Sequence, residues 1–261
     1  MAETTEKTSS RTNGAPTRTL EKGLLLLGLF DVEKPEWSLR ELREHTGLSK
    51  PTARRLIKTL ESGHWVAYDA DSGQYHLGSS ALKAGYLAIS ESELVRVAHP
   101  LLVRLEEETT ESASFSVWTG QGALILDTVP TSRPFKPFTT AGMVLPGVSS
   151  ADAQALIAFM PEDVWESLLS APIEARTENT VTDPETLRER WRTVRREGVA
   201  LDWEEWKVGA PACAAPVFDG TGRLRGTISV VPAIERCSQE QMRGYAEAAK
   251  RTAADMSKKL G

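Results

Sequence analysis

The segment SLRELREHTGLSKPTARRLIKTLES, residues 38–62, constrains the chain more tightly than any other. Two short amphipathic runs flank Gly47, and so tight a turn between helices leaves few ways to pack them. Ser38 is placed to cap a first helix over 39–45, Gly47 to end it, and Ser49 to cap a second helix whose first turn holds Pro51, where proline removes no helical hydrogen bond. In that second helix Ala53, Leu56, Ile57 and Leu60 recur at i, i+3, i+4 and i+7 and face one way. Pro51, Arg55 and Lys58 face the other, flanked by Thr52 and Arg54. A buried stripe thus backs a basic face without acids, as a rod that reads base edges and neutralises phosphates requires.

A basic helix face alone is usually only a solvated one. Here it is followed by HWVAYDADSGQYHLG, in which 65–68 and 74–77 are strand-like runs joined by Asp69, Ala70, Asp71, Ser72 and Gly73. Helix, turn, helix and hairpin in that order describe a winged helix-turn-helix. The candidate DNA-contacting residues are Ser49, Lys50, Pro51, Thr52, Arg54, Arg55 and Lys58.

At 261 residues two domains are the natural expectation, and 40% hydrophobic residues suffice for packed cores. The net charge of −5 means that any affinity for nucleic acid must come from a local patch. Two cysteines, Cys213 and Cys237, offer no disulfide framework and fit a reducing cytoplasm. No apolar run approaches the ~18 residues of a membrane span, so a cytoplasmic location is expected.

The expected order is a disordered tail over 1–17, the winged helix-turn-helix domain over 18–78 with a first helix at 20–30, a linker helix over 79–90, and an effector-binding and oligomerisation domain over 91–261. Within the last, 91–108 reads as an amphipathic helix containing Pro100. Strands are expected at 113–118, 123–129, 135–140, 199–203, 210–218 and 223–231, and helices at 150–160, 161–169, 184–197 and 239–260. Hairpins with segregated helices give an α+β class with a largely antiparallel sheet.

Chemistry is scarce. The histidines are His45, His64, His76 and His99, and none lies beyond residue 99, which argues against a Cys–His pair, a Ser–His–Asp triad or a His-ligated metal in the second domain. Gly220, Gly222 and Gly226 miss the dinucleotide spacing, so neither cofactor nor metal is expected. The densest acidic group, Asp202, Glu204 and Glu205 between Trp203 and Trp206, suits acid/base work or a strand end with one acid turned inward.

The parts together resemble the IclR family of bacterial transcription regulators from about residue 20 to 260. TGLSKPTARRLIKTLESG and SGQYHLG carry the resemblance in the first domain; REGVALDWEE, ACAAPVFD and TISVVPAIER carry it in the second. It implies a winged helix-turn-helix joined by a helix to a GAF/PAS-like effector domain. It also implies a homodimer or homotetramer on a palindromic double-stranded operator, answering to a small organic effector. The family's glycine-rich anion-holding turn corresponds here to VSSADAQA, with Ala151, Asp152, Ala153 and Gln154 in altered positions. The other pocket positions of the family fall on Asp202, Ala212, Ser229 and Val231, with Cys213 one residue past its cysteine.

A drier pocket than a small keto acid needs is expected. Phe115, Trp118, Phe138 or Trp203 would position a larger, aromatic effector, and Asp202 and Ser229 would anchor it. Each aromatic is equally a core residue on composition. Three accounts stay open: a ligand-responsive DNA-binding regulator and no enzyme; an enzyme using Asp202, Glu204 and Glu205; and a regulator whose second domain only oligomerises.

Overall fold

The computed structural model describes residues 17–261 apart from 121, 135, 136 and 138. All of the tail expected over 1–17 but its last residue, the candidate Phe138 and half of the strand expected at 135–140 therefore lie outside the described residues. The chain divides into two compact units, 1–85 and 86–261.

The first unit holds α1 (Arg18–Leu27), α2 (Leu39–Thr46), α3 (Lys50–Ser62) and the hairpin β1 (Val66–Asp69) and β2 (Gln74–Leu77). Ser38 and Glu41 form a reciprocal capping box at the start of α2, and Gly47 ends that helix at φ 65°, a conformation glycine adopts without strain. Ser49 occupies the N-cap position of α3, but its hydroxyl donates to Thr52 Oγ1 at 2.9 Å rather than accepting from a helical N–H. Leu26, Phe30, Trp37, Leu42, Leu56, Ile57, Val66 and Tyr75 form the core of this unit. Trp37 and Tyr75 exchange both backbone hydrogen bonds, at 2.9 and 2.8 Å, which ties the chain ahead of α2 to the hairpin. Helix α4 (Ser79–Ser90) then carries the chain into the second unit.

That unit contains α5 (Glu93–Thr109), β3 (Ser112–Trp118), β4 (Gly122–Val129), β5 (Val144–Pro146), α6 (Ala151–Ala158), α7 (Glu162–Leu169), α8 (Pro184–Glu197), β6 (Ala200–Asp202), β7 (Ala212–Phe218), β8 (Leu224–Val231) and α9 (Gln239–Lys259). Its six strands pair antiparallel in the order β5-β4-β3-β8-β7-β6. This is the α+β class the hairpin pattern predicts. The short β5 goes unpredicted because three residues are too few to show a period of two; Pro137, Thr139 and Thr140, within the strand expected at 135–140, are not in strand conformation.

Period-two alternation splits the sheet into unlike faces. Ala113, Phe115, Cys213, Ala215, Val217, Ile228 and Val230 pack on Leu101, Leu102, Leu105, Met242, Ala249 and Met256 of α5 and α9. The other face meets α6, which is buried along its whole length, and is lined by small and polar side chains. There Ser114 lies opposite Ser229, and Ser116 opposite Thr227.

Candidate functional sites

On α3, Ala53, Leu56 and Ile57 are buried against α1, α2 and β1, and Lys50, Pro51, Arg54, Arg55 and Lys58 are exposed with Ser49, while Thr52 is half-buried. The face is less free of acid than its sequence suggests: Lys58 pairs with Glu61 at 3.1 Å. Lys50, Arg54 and Arg55 have no ion-pair partner among the described residues, so they carry the unneutralised charge of this helix. The hairpin tip, residues 69–73, adds no basic residue. Asp69 turns inward to its own loop, accepting from the backbone N–H of Asp71 and the hydroxyl of Ser72, and these two contacts hold its pKa below the usual carboxylate range.

In the second unit a cavity of about 10 Å³ lies between α6 and the polar sheet face. Six residues singled out in the sequence line it: Ala151, Asp152, Asp202, Ala212, Ser229 and Val231. Ser114, Ile125, Thr139, Leu145, Ser150 and Trp206 complete the wall. Asp152 is brought there by the first turn of α6, after Ser150 caps the helix by accepting from the Ala153 N–H. Its Oδ1 accepts from Thr227 Oγ1 at 3.1 Å, and burial raises its pKa against the opposing influence of the nearby Ser116, Ser229 and Thr227 hydroxyls.

Asp202 ends β6 opposite Ala212 and accepts from the Glu205 N–H through Oδ1 at 2.7 Å. Burial pushes its carboxyl up to about 8, assisted by the charge on Glu205 and opposed by the backbone N–H groups of Glu205 and Trp206. Among the described residues, Asp202 Oδ2 and the Ser229 and Ser116 hydroxyls make no hydrogen bond of good geometry, although the two hydroxyls lie near enough to Asp152 to oppose the rise of its pKa.

The other candidates separate from this cavity. Phe115, fully buried, projects from the opposite sheet face, because its Ser114 and Ser116 neighbours take the cavity side. Trp203 packs against the same α5/α9 core. Trp118 lines a different hollow of about 310 Å³ with Phe159, Met160, Arg223 and Arg225. The aromatic wall of the small cavity is instead Trp206, which could have been found only by knowing how the loop after β6 turns back; Glu204, at φ 60°, makes that turn. Cys213 faces the core, and burial raises its pKa, so Ala212 alone of that pair meets the cavity.

The remaining acids of this loop are engaged within the protein. Arg190 Nη1 donates to both Glu205 oxygens at 2.6 and 2.7 Å, and Glu204 Oε1 accepts from the Gly209 N–H at 2.6 Å. Among the described residues no cluster of His, Cys, Asp and Glu is arranged to hold a metal ion.

Comparison with known proteins settles the family. The model of the IclR helix-turn-helix domain matches residues 19–70, and that described as bacterial transcriptional regulator IclR C-terminal matches residues 86–258. The chain belongs to the IclR family. The HTH-type transcriptional regulator BhcR of Paracoccus denitrificans is 30% identical to this IclR-family chain over 241 residues, which is 92% of this chain and 86% of its own length. An IclR transcriptional regulator from Silicibacter sp. TM1040 superposes with a TM-score of 0.83 at 25% identity, covering 93% of this chain and 96% of its own. An IclR homologue of Microbacterium hydrocarbonoxydans, complexed with 4-hydroxybenzoate, shares the fold with a TM-score of 0.75 at 22% identity, over 93% of this chain and 98% of its own. The protein is thus a DNA-binding transcriptional regulator of this family, and its relatives are named as regulators rather than as enzymes.

Proposed function

We propose that this IclR-family protein binds a palindromic operator as a homodimer or homotetramer through Ser49, Lys50, Pro51, Thr52, Arg54, Arg55 and Lys58, and that a small effector held beside α6 changes its operator affinity. The observation that carries the first half is the unneutralised charge of Lys50, Arg54 and Arg55 on the exposed side of a helix whose other side is anchored in a core. Two-fold symmetry would set paired copies of α3 about one turn of DNA apart. Exposed apolar side chains on α1 (Leu20 and Leu24) and α4 (Leu82 and Tyr86) favour a second copy, since leaving them in water forgoes their burial.

The 4-hydroxybenzoate complex of a fold relative supports a small organic ligand, and the buried polar atoms around the cavity support its seat beside α6. Effector binding then shifts the population of dimer geometries that fit the operator.

Gel-shift titration against the DNA flanking the protein's own gene tests the DNA half. Arg55→Ala is expected to weaken binding by ~1–3 kcal/mol, on the order of tenfold, and to flatten its salt dependence. Binding by Arg55→Ala indistinguishable from that of the wild-type chain would take Arg55 off the reading face. No binding by the wild-type chain itself would remove that DNA as its operator.

A further inference from the structure

The hollow of about 310 Å³ lies at the other end of α6 from Asp152. Trp118 ends β3, Leu156 stands in the last turn of α6 with Phe159 and Met160 after it, and Arg223 and Arg225 flank Leu224, where β8 begins. Phe159 meets Phe218 edge to face, with ring centroids 5.1 Å apart, which limits how its ring can turn. The Ala158 and Met160 carbonyls at the end of α6 accept from the Arg195 guanidinium, so the protein itself answers these two acceptors.

Among the described residues no acid lines this space. Asp219, the acid paired with Arg225, is already occupied: Oδ1 accepts from the Thr221 hydroxyl at 2.6 Å and from the Thr221 and Arg223 N–H groups at 3.0 and 3.1 Å, and Oδ2 accepts from Arg225 at 3.2 Å. Glu162, next to Pro161 in the chain, reaches Arg195 at 4.0 Å. Arg223 is exposed and has no ion-pair partner among the described residues. One carboxylate thus serves two guanidinium groups, and the hollow keeps a positive charge beside apolar and aromatic walls.

We propose that this hollow binds an aromatic carboxylate, its ring against Trp118 and Phe159 and its carboxylate on Arg223 and Arg225. A guanidinium presents paired N–H donors that match the two oxygens of a carboxylate. The volume stands at the small end of the ~300–1,000 Å³ range of ligand pockets and suits a body of one or two rings. A cation would meet two guanidinium groups, and a neutral aromatic would leave the Arg223 charge unanswered. An inorganic anion would leave the Trp118, Phe159 and Met160 walls in water. The assignment stands apart from the effector reading of the small cavity, because Leu156 and Asp152 share one helix but line separate spaces.

The test is calorimetric titration of the full chain with three probes of similar size: naphthoate, its neutral counterpart naphthylmethanol, and the saturated decahydronaphthoate. Naphthoate is expected to bind, and each of the others to bind several-fold more weakly. Arg223→Gln, at an exposed turn, is expected to weaken naphthoate binding by roughly tenfold, the loss of a charge-assisted contact. Trp118→Leu, which keeps an apolar side chain, is expected to weaken it several-fold, and Asp202→Asn to leave it unchanged.

Absence of naphthoate binding by the wild-type chain overturns the proposal. Binding that survives intact in Arg223→Gln and Trp118→Leu but is lost in Asp202→Asn places the ligand in the small cavity and overturns it as well. Naphthylmethanol binding as tightly as naphthoate removes the role of the charge, and equal binding of decahydronaphthoate removes that of the aromatic ring; either result overturns the ligand class. None of these outcomes bears on operator binding, which the gel-shift titration reads separately.

Discussion

Asp202→Asn is expected to flatten the decline in stability that the wild-type protein shows as pH rises from about 4 to 8. The folded carboxyl sits at about 8 and the ordinary value is 3.8. A carboxyl raised in the folded state is bound to its proton there while the unfolded chain has already lost it. Its favourable contribution is therefore complete below the unfolded value and is lost as pH climbs through the folded one. Four units correspond to at most about 5 kcal/mol, reduced by whatever water reaches the site.

Denaturant titrations at pH values of about 5, 7 and 9 check this. The stability difference between variant and wild type is expected to move steadily in favour of the variant as pH rises. Parallel pH profiles for the two proteins would show that Asp202 does not titrate in this window. Asp152, also raised by burial, acts in the same direction in both proteins and cancels from the difference.

Phe115→Ala is expected to lower unfolding stability by about 3–5 kcal/mol, the usual range for deleting a fully buried ring. The ring lies across Gly226 on the neighbouring strand, where an added Cβ would stand 2.5 Å from the ring and 2.6 Å from the Ser116 carbonyl oxygen. Gly226→Ala is accordingly destabilising by itself. The two changes are expected to be less than additive, because truncating the ring relieves part of the clash. Urea denaturation of both single variants and the double variant measures the coupling. Strict additivity would mean that the ring and Gly226 do not constrain one another. Trp118→Ala, at a half-buried strand end facing the larger hollow, is expected to cost less than Phe115→Ala.

The first unit was largely legible in the sequence because its determinants are local. Capping serines, Gly47 and a 3.6-residue apolar period act within a few residues, and they place α2, α3 and the hairpin within one or two residues of where they lie. The sequence also determined which side of α3 is basic. Glu61 neutralises part of it, and this too is local, since Lys58 and Glu61 are an i,i+3 pair on one helix.

In the second unit, alternation made the strands β3, β7 and β8 readable but not the direction in which each side chain faces. Phe115 and Ser114 are neighbours in sequence, and one belongs to the core and the other to the cavity. That choice is made by which helices cover each sheet face, α5 and α9 on one side and α6 on the other.

The resemblance marked Asp152 and Asp202 as pocket positions, fifty residues apart along the chain. Their burial around one small space, and the resulting rise of both pKa values, exist only once α6 is laid on the sheet. Helix caps and periodicity are properties of short segments and can be read from them. A carboxyl's solvation is set by atoms distant in sequence, and so the character of the ligand site was decided by the packing.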